Sequence, residues 1–261
     1  MSYPQYRLPL RLALSILGDA LRGRPRSFRR DASELARGIS SRRVFGEVPD
    51  LESSPRGWLV TVNHYFRPGF GGWWIGVAVA AAFPVEMHWV MTSAWTYPDG
   101  LRSRTITPAT RWLFRRLAQM YGFTLMPPMP PRPEEVMERA LAVRRVLAFV
   151  RAAPMPVVGL APEGMDPPEG RLMLPPPGVG RFIAHLARQG LTILPVGLFE
   201  EEGALCLRFG SPYSLPADLP RSPEARDREV AVRVVEAIAG CLPPALGQGV
   251  RSQVSIPQSR L

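Results

Sequence analysis

Three short stretches carry the residue types that do chemistry. In Val62-Asn63-His64-Tyr65-Phe66-Arg67-Pro68-Gly69-Phe70, a histidine directly follows a hydrophobic, β-branched run. Imidazole is the usual general base near neutral pH, and the carboxyl end of a strand is where α/β proteins hold reactive groups. Taken alone, the same histidine reads equally well as a structural cap on the strand end. In Val158-Gly159-Leu160-Ala161-Pro162-Glu163-Gly164-Met165, a carboxylate follows a second apolar run between proline and glycine. Alone, that is also the composition of an exposed turn. The third stretch, Gly178-Val179-Gly180-Arg181, opens a helical pattern. Free N–H groups at a helix start favour an anion, and the Arg181 side chain adds a charge-assisted contact.

Other chemistries lack their parts. Two cysteines and three histidines without ligand spacing give no metal site. No Gly-x-Ser-x-Gly elbow supports a serine nucleophile.

The elements that must position these groups alternate. Strand patterns cover 58–62, 86–91, 123–126 and 156–160, and 193–199 pairs with 204–209 as a hairpin across Glu200–Gly203. Helical patterns cover 71–83, 105–121 and 136–150. The helix from Val179 ends at Gly190, and the last runs from the Ser222 cap to Gly240. The segment Phe70–Phe83 reads either as the lining of an apolar tunnel or as a plain core helix. With 46% hydrophobic and 21% charged residues, the chain has material for a packed core. The pattern predicts an α/β fold, a mixed sheet flanked by helices. Three regions are expected: a basic helical segment over 1–45, an α/β domain over 46–242 and a loose tail over 243–261.

Charge is concentrated at one end. The net charge is +10, and residues 1–45 hold ten arginines against three acids. Leu10, Leu14, Leu17 and Leu21 recur at helical spacing beside Arg7 and Arg11. An amphipathic helix flanked by arginines suits an anionic membrane surface, whereas no run is long enough to span a bilayer. Packing on the domain beside a solvated basic linker is the other reading. Aromatic residues are sparse here, which disfavours nucleic acid.

Order and spacing join the pieces. A histidine after a strand is followed by Pro162-Glu163-Gly164 after another, then by the glycine-led helix Gly178 through Ala187 and by Leu194-Pro195-Val196-Gly197. Over about residues 58–210 this resembles the glycerolipid acyltransferase family, of the lysophosphatidic-acid (1-acyl-sn-glycerol-3-phosphate) type. The resemblance implies an acyltransferase-type α/β domain at the cytoplasmic face of the cell membrane, peripherally attached through its N-terminal helix. It implies acyl transfer from acyl-CoA or acyl carrier protein, as co-substrate and with no cofactor, to a hydroxyl of a lysophospholipid. His64 and Glu163 would then be catalytic, and Arg67, Gly69, Gly164, Arg171 and Arg181 would bind substrate. Where the family has an aspartate five residues after the histidine, this chain has Gly69. Either another acid, Glu163 or Asp166, serves His64, or the chain is a non-catalytic lipid-binding relative.

Overall fold

A computed structural model of the chain describes residues 2–97, 99–166 and 170–247. Seven strands form one sheet: β1 (Arg42–Phe45), β2 (Trp58–Val62), β3 (His88–Thr92), β4 (Thr124–Met126), β5 (Val157–Leu160), β6 (Thr192–Glu201) and β7 (Ala204–Phe209). Their order across the sheet is β1-β7-β6-β2-β5-β3-β4. Neighbouring strands are parallel except β6 and β7, the expected hairpin. The fold is therefore a mixed α/β sheet flanked by helices. The helices are α1 (Leu10–Arg22), α2 (Phe28–Leu35), α3 (Trp73–Ala82), α4 (Gly100–Tyr121), α5 (Val136–Ala152), α6 (Val179–Ala187) and α7 (Pro223–Ala239).

The central strands β2 and β5 are buried along their whole length, which is why they read as unbroken apolar runs. From β2 the chain crosses in one direction to β3, and from β5 in the other to β6. Right-handed crossovers then place α3 and α6 on opposite faces. Packing agrees: α2 lies on α3 and α1 on α4, while α5 and α7 lie against α6. Because the two connections diverge, the carboxyl ends of β2 and β5 form the switch point of the sheet, the place where open α/β sheets bind ligands.

Local chemistry explains the element ends. α1 stops at Gly23, whose φ of +66° lets its N–H and that of Arg24 turn back onto Ala20 and Asp19 carbonyls. α4 begins at Gly100 rather than at 105, because the Asp99 side chain accepts the Arg102 N–H and caps it. α3 is a core helix, with Trp74, Ile75, Val77 and Val79 buried.

The first 45 residues hold more than one helix. α2 places Ala32 and Leu35 in the main core, Tyr6 bridges to Ile39, and β1 is the sheet edge beside β7. That strand escaped the sequence reading because its residues are mostly exposed and arginine-rich. Among the described residues no helix is long and apolar enough to cross a membrane. Most of the tail expected over 243–261, from 248 onward, lies outside the described residues.

Candidate functional site

Parallel pairing of β2 with β5 aligns Thr61 with Leu160, so the two motif loops leave the sheet side by side. Asn63 continues the ladder with its side chain. Its Nδ2 donates to the Leu198 carbonyl at 2.9 Å and its Oδ1 accepts the Leu198 N–H at 2.7 Å. One residue on, the His64 N–H donates to Glu163 Oε2 at 2.5 Å. The other Glu163 oxygen accepts the Met173 N–H at 2.9 Å. The backbone before the imidazole is thus fastened to the strands on both sides.

Glu163 is buried below the surface, at 1% exposure. Burial pushes its carboxyl up to about 7, against the opposing pull of the two N–H donors and the nearby His64. Gly164, at φ +69°, closes the turn through an N–H to the Ala161 carbonyl. A β-carbon there would stand 3.0 Å from Met129 Cγ, a second reason for glycine.

The His64 ring points elsewhere. Its Nδ1 lies 3.1 Å from Asp166 Oδ1, with the two side chains 25% and 53% exposed. Gly72, at the start of α3, faces the same carboxylate: a β-carbon there would be 4.0 Å from Asp166 Oδ1. The start of α3 and the His64 ring therefore meet at the same carboxylate. Gly69 has φ +82° and shapes the turn into α3. The carboxylate beside the imidazole comes from the loop after β5. Elsewhere, His88 is buried against Thr124 and Phe149, and burial lowers it to about 4. His185 is exposed on α6.

Arg67 and the start of α6, both expected to hold substrate, meet carboxylates of the chain itself. Arg67 grips Glu200, through Nη2 to Oε1 at 2.9 Å and through Nε to Oε2. The same carboxylate, 1% exposed, accepts Tyr6 Oη at 2.5 Å and Tyr65 Oη at 3.0 Å. Burial and Glu200 hold both phenols un-ionised, raising them above their ordinary range. Tyr3 lies under the guanidinium, 4.2 Å away. Arg67 thereby ties the N-terminal segment to the histidine loop. At α6 the Gly178 and Arg181 N–H groups each donate to the Asp227 carboxylate at 2.7 Å. That helix start holds an anion, but the anion is an aspartate of α7. Arg171 is exposed, two residues before Met173. Nothing local in the sequence marked Glu200 or Asp227 as partners, since each is more than 45 residues away from what it holds.

Among the described residues no group of three or more His, Cys, Asp or Glu side chains is gathered to hold a metal ion. No family model matches the chain, and no curated protein does. Among solved structures, the chain is similar to the 1-acyl-sn-glycerophosphate (LPA) acyltransferase PlsC from Thermotoga maritima, at 13% identity and a TM-score of 0.48. The match covers 89% of this chain and 80% of that one. A likeness of that degree assigns no activity.

Proposed function

We propose that this protein transfers an acyl group from a thioester, acyl-CoA or acyl carrier protein, to a hydroxyl of a lysophospholipid or related glycerolipid at a membrane surface. The observation that supports this reading is the Asp166–His64 pair at the sheet's switch point, beyond the carboxyl ends of β2 and β5. With Nδ1–H donated to Asp166, Nε2 keeps its lone pair for an incoming hydroxyl. The acceptor oxygen attacks the thioester carbonyl as its proton passes to Nε2. The tetrahedral intermediate then expels the thiolate, which takes that proton back and leaves as the thiol. No covalent enzyme intermediate forms. Free N–H groups in the turn and start of α3, around Gly69–Gly72, would stabilise the developing oxyanion. Glu163 is a positioning residue that fixes the His64 backbone. Attachment is peripheral, through the leucine stripe of α1, at the cytoplasmic face of the membrane.

The test is His64→Ala, assayed for acyl-CoA consumption and product formation over a panel of lysolipids. Turnover falls about 10³-fold, as expected for a lost general base, with the melting temperature unchanged. Undiminished turnover overturns the role of His64. Lysolipid binding without transfer or thioester hydrolysis by the wild type, across all donors, makes the chain a lipid-binding relative instead.

A further inference from the structure

We propose that α4 is a second lipid-docking helix, lying beside α1 and adding an arginine-flanked apolar stripe that seats on an anionic bilayer surface. The proposal rests on the reading of α1 as a surface-lying helix and extends it to an element whose sequence showed only a basic side.

Leu101, Thr105, Pro108 and Trp112 recur at spacings of four, three and four, so they share one side of α4. All four are exposed, Leu101 at 76% and Trp112 at 46%. The opposite side, with Thr110, Phe114 and Ala118, is buried. α1 repeats the spacing with Leu10, Leu14, Leu17 and Leu21, all exposed, Leu10 at 73%. The two helices pack together, and the Arg26 N–H donates to the Met120 carbonyl at the end of α4.

Charge identifies the occupant. α4 contains five arginines and not one acid. Arg104, Arg111 and Arg115 flank the stripe on one side, Arg102 and Arg116 on the other. Among the described residues, no carboxylate pairs with Arg104, Arg111, Arg115 or Arg116; Arg102 alone reaches its own cap, Asp99, at 3.6 Å. Arg116 stands over the Trp112 ring at 5.9 Å. A soluble surface helix of this length ordinarily mixes both signs of charge. A leucine and a tryptophan between unpaired arginines match the depth profile of an interface, with apolar side chains in the acyl boundary and guanidinium groups at the phosphates. The same arginines prevent α4 from spanning the bilayer.

The experiment is co-sedimentation of the full chain with vesicles of phosphatidylcholine alone or mixed with phosphatidylglycerol, without acyl donor or acceptor. Arg104→Gln/Arg111→Gln/Arg115→Gln should lower partition onto the anionic vesicles at least tenfold, as should Leu101→Ser/Trp112→Ser. Lysine at the same three positions should retain it. All these side chains are exposed, so melting temperatures should equal the wild type. Brominated lipid should quench a component of tryptophan fluorescence that is missing in Trp112→Phe. Full partition by both α4 variants, with binding abolished only by Leu10→Ser/Leu14→Ser/Leu17→Ser, overturns the proposal. So does equal partition onto neutral vesicles, or binding to heparin in preference to vesicles, which would make α4 a site for a soluble polyanion. Vesicle binding is read without substrate, so its failure is distinct from a failure of acyl transfer.

Discussion

Two carboxylate contacts stand three residues apart on one loop and differ in their surroundings. His64 meets Asp166 beyond the carboxyl ends of β2 and β5, where that carboxylate is 53% exposed. Arg67 meets Glu200 in the interior, with the carboxylate 1% exposed and two tyrosines completing its shell. Each joins the β2 loop to a distant strand end. The buried pair has every oxygen satisfied and no room for a ligand, so it fixes the loop. Among the described residues the open pair leaves Nε2 unused, as the proposed chemistry requires. In that reading burial, more than residue type, separates structure from function.

The largest effect on folding should come from the buried pair. Glu200→Ala strands the Arg67 charge and two phenols, and unfolding free energy should fall by about 3–5 kcal/mol in denaturant titration. The folded fraction should lose less turnover than Asp166→Asn does; a greater loss would erase the distinction. For Asp166→Asn, kcat should drop about 10²-fold with KM and stability little changed. The drop should be smaller than the about 10⁴ seen for a buried triad acid, because this carboxylate is half in water. A fall in melting temperature matching that of Glu200→Ala would move the open pair into the structural class.

Glu163 sharpens the comparison through pH. Its folded pKa of about 7 lies above its ordinary 4.5. Between those values the native state keeps a proton that the unfolded chain gives up. Stability therefore declines as pH rises through that window, by on the order of 3 kcal/mol in all. In Glu163→Gln that slope should vanish from a series of melts between pH 4 and 8. The smallest effect belongs to the self-capped α6. Asp227→Ala leaves the Gly178 and Arg181 N–H groups without their acceptor and should cost about 1–2 kcal/mol. KM should be unchanged; a rise would return that helix start to substrate binding.

The sequence was most legible where periodicity is local. β2 occupies the span its pattern predicts, α6 starts at Val179 as its pattern predicts but ends at Ala187, short of Gly190, and α7 starts at its Ser222 cap, because apolar spacing and capping act within a few residues. α4 was read short because Pro108 lies within its first half, and the Asp99 cap outweighs that interruption. β1 was missed because an exposed edge strand has no apolar alternation to show.

By itself the sequence determined the alternating elements, the concentration of arginine in the first 45 residues and the two loops that carry His64 and Glu163. Hydrophobic period and turn chemistry are properties of neighbouring residues, so they survive without a fold. Tertiary structure alone decided which carboxylate meets which partner. Strand order set β5 beside β2 and brought Asp166 to the imidazole across 102 residues of chain. The same packing committed Arg67 to Glu200, and the α6 start to Asp227. Pairing of charges depends on distance and burial, and both are fixed only when the sheet and its helices close.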